Sequence, residues 1–237
     1  MKEIGEKLAA IDWSKILREL HGNGFVIVPQ VLAVESCAQL IEAYDADERY
    51  RKTISMERYR FGSGEYKYFQ YPLPDIIEGL REKVYSFLVP VANQWMKEAG
   101  LEKRFPATHG EMKSLCHNQG QMKPTALILK YGPGGFNTLH QDLYGPVFFP
   151  IQIVLPLNQI DEDYTGGEFI ITEQIPRAQS KANVLRPKVG DMLIFTTNFR
   201  PVKGSRGYYR VNMKHGVSTV HTGKRYSMGI IFHDALT

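Results

Sequence analysis

The chain has 237 residues, 43% hydrophobic and 23% charged, an ordinary globular balance long enough to bury a full core without disulfides. Basic residues number 29 and acidic ones 25, and the net charge of +4 permits phosphate or acidic partners without demanding them. Two widely spaced cysteines, Cys37 and Cys116, exclude a disulfide framework or a zinc cluster. The charged N-terminus does not read as a secretory signal, and no apolar run approaches the roughly 18 residues of a membrane span. A cytoplasmic protein with no membrane partner is expected.

Residues 6–20 place Leu8, Ile11, Ile16 and Leu17 at helical spacing. "GFVIVPQVL" (24–32) predicts a short strand running into Pro29, and 34–47 a helix with Leu40, Ile41 and Tyr44 on one face. Residues 49–71 interleave six basic residues with seven aromatics. That pattern can track phosphates and stack on bases, or it can build a cleft wall and core edge. Residues 76–99 predict a helix broken or kinked near Pro90. The first half thus reads as mainly helical with one early strand.

From residue 124 the pattern changes. Strand-like runs occur at 125–131, 149–157, 167–172, 191–196, 208–213 and 225–233, with turn signals at 132–135, 164–167 and 189–191. Short strands at this spacing predict a sandwich or barrel of the jelly-roll type. One domain spanning 1–237 is expected, with 1–123 as helical and substrate-side support and 124–237 as the β core. Between Arg186 and Arg225 lie nine basic residues and a single acid, Asp191, which fits either a solvated surface or a nucleic-acid contact.

The chemistry centres on "TLHQDLYG" (138–145). On an extended strand His140 and Asp142 would share a face, with Gln141 turned away. Two His and one carboxylate on one side of a metal make the facial triad of non-haem Fe(II) oxygenases. His-x-Asp alone is common by chance. The second His would come from His215, His221 or His233. His215 precedes Arg225-Tyr226-Ser227 by ten residues. A hairpin turning near Thr222-Gly223 could return Arg225 and Ser227 on one face, a guanidinium and a hydroxyl suited to a carboxylate.

The set His140-x-Asp142, His215 and Arg225-x-Ser227 resembles the signature of Fe(II)/2-oxoglutarate-dependent dioxygenases. "LKYGPGGFNTLHQD" (129–142) and "GGEF" (166–169) resemble their prolyl-hydroxylase and AlkB-like branches. Further stretches, among them "FGSGEYKYFQYPLP" (61–74), "TGGEFIITEQIPR" (165–177), "RVNMKHGVS" (210–218) and "GIIFHDA" (229–235), resemble a bacterial 2-oxoglutarate oxygenase family labelled as acting on damaged nucleic acid. The resemblance implies a mainly β fold with N-terminal helices, built on a double-stranded β-helix (a cupin-like jelly roll). It implies Fe(II) held by His140, Asp142 and His215, and 2-oxoglutarate held by Arg225 and Ser227 with Tyr131 assisting. O2 is the co-substrate, and succinate and CO2 are released. Halogenating relatives replace the carboxylate ligand with a small residue, so Asp142 implies hydroxylation. His221 is read as an exposed or satisfied histidine and His233 as a packing residue.

The substrate stays open at this stage. Alkylated, single-stranded or damaged nucleic acid fits the family label and the basic stretches. A prolyl-type peptide hydroxylase fits the His215…Arg225 pattern, because AlkB-like enzymes more often carry a further Arg that is missing after Arg225. A small-molecule hydroxylase is a third reading. The intact triad argues against a non-catalytic binding module.

Overall fold

The computed structural model describes residues 2–237, with side chains from residue 4 onward. Helices α1 (Lys2–Ala9) and α2 (Trp13–Asn23) are separated by a break at which Asp12 caps α2, accepting from the Lys15 amide. Gly24, at φ 80, closes α2 and feeds β1 (Phe25–Val28). Then come α3 (Val34–Glu42), β2 (Tyr50–Ser55), the short α4 (Met56–Tyr59), β3 (Gly62–Ser63) and β4 (Glu65–Phe69). Helix α5 (Asp75–Glu98) runs continuously through Pro90. Helix α6 (His109–Asn118) starts at a capping box between Thr108 and Glu111. Beyond it lie β5 (Leu127–Tyr131), β6 (Phe136–His140), β7 (Ile151–Pro156), β8 (Tyr164–Gly166), β9 (Phe169–Gln174) and β10 (Ser180–Leu185). The chain ends with β11 (Met192–Thr196), β12 (Phe199–Gly204), β13 (Gly207–Val217), β14 (Val220–Gly223) and β15 (Arg225–Ile231).

Two antiparallel sheets form the jelly roll. The larger has the order β1-β11-β7-β15-β5-β4-β2, and the smaller β10-β9-β13-β6-β3 with β12 also paired to β13. The central strands β7 and β11 of the larger sheet read as almost continuous apolar sequence because both faces are covered. Ile151, Ile153 and Leu155 of β7, Ile194 of β11 and Met228 and Ile230 of β15 face the helices, where Ile77, Leu80, Val84, Leu88 and Trp95 of α5 complete the main core. The alternate residues Val154, Leu193 and Phe195 face the smaller sheet and pack on Phe169, Ile171, Val211 and Met213. The same two-residue period turns Gln152, Tyr131, Arg225 and Ser227 toward the space between the sheets, where all four line one cavity.

Three sequence expectations differ from the structure. The first half is not limited to one strand, since β1, β2 and β4 supply three of the seven strands of the larger sheet. Its charged and aromatic letters alternate with period two, which is a strand signal as well as a nucleic-acid one. His140 and Asp142 do not share a strand, because β6 ends at His140. His215 and Arg225 are not on a hairpin: β13 lies in the smaller sheet and β15 in the larger, and the intervening β14 pairs with β8. The turn at Gly223 (φ 74) exists, but it is where the chain crosses between sheets.

Candidate functional site

The crossing brings ligand-type side chains from both sheets to one cavity of about 230 Å³, lined by His140, Asp142, His215, Tyr131, Arg225 and Ser227 among others. His215 continues the inward-facing series Val211, Met213 of β13 and pairs in register with His140 of β6. Asp142, two residues past the end of β6, reaches the same point. Its Oδ2 stands 3.2 Å from His215 Nε2, and its Oδ1 stands 3.6 Å from His140 Nε2. One donor atom from each residue falls within 4.8 Å of the others. Cis ligands at bonds of about 2.1 Å stand about 3 Å apart, so little movement would seat an ion.

The donor chemistry fits a divalent first-row metal. His140 Nδ1 donates to the Thr138 carbonyl at 2.7 Å, which leaves Nε2 free to ligate. Burial and the neighbouring His140 push His215 down toward its neutral, ligating form. Burial works against the Asp142 carboxylate, but the hydrogen bond from His215 and the adjacent imidazoles outweigh it and hold the group well below the usual range. Two imidazoles and one carboxylate match the donor set that holds non-haem Fe(II).

Arg225 lies in the same cavity and is 3% exposed. Its Nε donates to the Gly167 carbonyl and its Nη1 to Ser227 Oγ, each at 2.9 Å, and its guanidinium sits 5.5 Å from the centre of the Tyr131 ring. Among the described residues no carboxylate pairs with it. A buried cation without a counter-ion is costly, and a bound anion would relieve that cost. Tyr131 is fully buried, and its hydroxyl has no hydrogen-bond partner. The structure therefore places all six expected site residues on one cavity, with three potential metal donors and one unpaired cation.

The two other candidate histidines lie elsewhere. His221 is exposed. His233 is fully buried, accepts from the Phe149 amide through Nδ1, and packs on Tyr144 at 5.9 Å between ring centres. Gln141 is turned to Asn198, Asn212 and Met213, donating to all three. Two site residues were not singled out from sequence. Tyr144 donates to Asp142 Oδ1 at 2.8 Å, and Gln152 to Asp142 Oδ2 at 2.9 Å. The signal for Gln152 was present as the lone amide in "FPIQIVLPL".

The cavity mouth sorts the aromatics of 49–71. Tyr50, Tyr68 and Phe69 are buried, and Tyr66 lines the cavity wall. Tyr59 and Phe61 are 44% and 46% exposed and stack on each other at 5.5 Å. The Phe61 carbonyl accepts from both the amide and the hydroxyl of Thr138, which fixes this lip two residues before His140. Arg58 and Arg60 flank it and are exposed, whereas Lys67 is buried against Asp47. Among the described residues no helix is long and apolar enough to cross a membrane.

Comparison with known proteins agrees with this geometry. Two uncharacterized proteins of Mycobacterium tuberculosis are each 46% identical to the chain over 167 residues, covering 70% of it and 72% of their own length. Among solved structures, a prolyl-4-hydroxylase of Pseudomonas putida superposes with a TM-score of 0.58 at 13% identity, over 94% of this chain and 98% of that one. An oxidoreductase of the 2OG-Fe(II) oxygenase family from Burkholderia pseudomallei gives 0.57 at 14% identity, over 95% and 94%. At such identities these structures establish a shared fold. The family described as an oxygenase catalysing oxidative methylation of damaged DNA matches residues 64–235, and the chain belongs to it.

Proposed function

We propose that the protein hydroxylates alkyl groups on unpaired, damaged nucleic acid, with His140, Asp142 and His215 holding Fe(II). Arg225 and Ser227 take the distal carboxylate of 2-oxoglutarate, and Tyr131 supplies a further hydrogen bond. The observation that carries the reading is a buried, unpaired guanidinium sharing one cavity with a His-Asp-His cluster. When bound, Fe(II) supplies the redox chemistry that couples decarboxylation of 2-oxoglutarate by O2 to oxidation of a substrate C–H bond.

The protein's part is placement and shielding. His140, Asp142 and His215 would hold the ion. The charge of Arg225 fixes the co-substrate at the far end. Leu127, Leu129, Val154 and Phe195 line the cavity with hydrocarbon and keep bulk water from the reacting centre. A hydroxylated N-methyl group breaks down to formaldehyde and the free amine, so hydroxylation here would amount to repair.

Nucleic acid is favoured over peptide by the mouth. Tyr59 and Phe61 offer an exposed stacking surface beside the cavity, and Arg58 and Arg60 supply exposed positive charge next to it. We place the protein in the cytoplasm, a reading supported by two free and buried thiols, Cys37 and Cys116.

The test compares N-methylated single-stranded DNA with proline-containing peptides, each supplied with Fe(II) and 2-oxoglutarate. Formaldehyde release from the DNA, with binding that weakens steeply with salt, is expected. Hydroxylation of a peptide with no release from DNA would overturn the substrate assignment.

A further inference from the structure

Strand β7 reads Ile-Gln-Ile-Val-Leu-Pro, and every residue of it is buried. Gln152 is its only polar side chain, between Phe195 on β11 and Ile231 on β15 in the ladder. A buried amide among hydrocarbon is destabilising unless both its ends are bonded. Here only one end is. Nε2 donates to Asp142 Oδ2 at 2.9 Å and lies 3.3 Å from His215 Nε2, while Oε1 has no partner. Rotating the amide would bring Oε1 against a carboxylate oxygen, so the observed orientation is the one the site selects. The other carboxylate oxygen is held as well. Tyr144 donates to Asp142 Oδ1 at 2.8 Å, and the Tyr144 hydroxyl accepts from Tyr68 of β4 at 3.3 Å.

Asp142 is the one residue of the triad outside a strand, whereas His140 ends β6 and His215 lies within β13. Both groups holding its carboxylate reach back to the larger sheet, through β7 directly and through β4 by way of Tyr144. Resting on the metal-site reading above, we infer that Gln152 and Tyr144 are positioning residues that fix the Asp142 carboxylate against that sheet and thereby set the affinity of the triad for its ion. Two donors restrict the carboxylate to one rotamer and one plane. Without them it would sample orientations in which its oxygens miss the point shared by the two imidazoles.

The experiment titrates the metal-free full chain with Co(II) and follows its visible absorption, alongside the Tm of the metal-free protein and without any turnover assay. Gln152→Leu and Tyr144→Phe should each raise the Co(II) dissociation constant about ten- to a hundredfold, with the metal-free Tm close to wild type. Wild-type Co(II) affinity in the folded variants would overturn the inference. If Gln152→Leu does not fold, Tyr144→Phe, which keeps the ring, decides the matter on the same criterion. His140→Ala serves as the reference. If it too binds Co(II) like wild type, the triad reading itself falls and the inference with it. Loss in His140→Ala with none in the other two variants would overturn the positioning role alone.

Discussion

At the scale of single residues, the most informative feature is a charge that the fold leaves unsatisfied. Arg225 is buried at the inner end of the cavity with a carbonyl and a hydroxyl as partners. Neither compensates its charge, so a carboxylate ligand gains more here than at an exposed arginine. Replacing Arg225 with Ala should weaken 2-oxoglutarate binding by about 1.5–3 kcal/mol, the usual worth of a charge-assisted contact. Calorimetric titration with 2-oxoglutarate in the presence of Mn(II) measures it, and an unchanged affinity would show that the anchor lies elsewhere. The arginine was legible in the sequence through its spacing from His215 and the Ser two residues on. Tyr144 was not, because a tyrosine in a loop carries no motif, and the lone amide of Gln152 in an apolar run marks a buried polar group without naming its partner; only the fold shows both aimed at one carboxylate.

At the scale of elements, the distance between β6 and β13 decides whether the two imidazoles meet. His140 and His215 are paired in register, their ring centres are 4.2 Å apart, and the ladder is irregular between His215 and Val217. Gly216 occupies that irregularity. A Cβ there would stand 2.6 Å from the Asn137 carbonyl on β6, too close for the strands to keep their separation. Gly216→Ala should therefore cost about 1–3 kcal/mol of stability by overpacking, and should also weaken metal binding by moving His215 away from His140. Thermal unfolding with and without Co(II) checks both effects, and a variant with wild-type values in both would contradict this role for the strand spacing. The apolar strands of the second half were readable from their runs and turns. The partition of β13 and β15 between sheets was not, since ten residues are enough either for a hairpin or for a crossing, and the choice depends on the pairing of β14 with β8. Strands β2 and β4 were hidden for a different reason: their charged and aromatic residues carry two meanings, and only burial separates them.

At the scale of the whole molecule, the helices and sheets are joined by buried polar groups whose protonation should shape acid stability. Arg81 of α5 donates to the Ile231 carbonyl, to Tyr71 and to Asp234, and His117 of α6 meets the same carboxylate at 2.9 Å. Burial raises the Asp234 pKa, but Arg81 together with the hydrogen bonds from His117 and Tyr71 outweighs it and the net shift is downward. Its contribution is present above the unfolded carboxylate value of about 3.9 and is lost as pH falls below that. Histidines act earlier. Burial pushes His109 and His233 each down to about 3. An unfolded imidazole titrates near 6.5, so the unfolded chain takes up protons first. The stability these two residues supply is complete above about pH 6.5 and declines as pH falls toward 3. The Tm of the metal-free protein should thus fall steadily between pH 7 and pH 4.5, before the carboxylates titrate. A flat Tm over that interval would show that neither ring is held neutral.

The proposed function requires one cavity to act as a single reaction vessel, with an ion at one end and 2-oxoglutarate anchored at the other. Its most direct measurement is succinate formed from 2-oxoglutarate by purified protein under air, with and without added Fe(II), for wild type and Asp142→Ala. Succinate formation by the wild type only with Fe(II), abolished in Asp142→Ala, is the expected result. Turnover independent of Fe(II), or unchanged in Asp142→Ala, would contradict it.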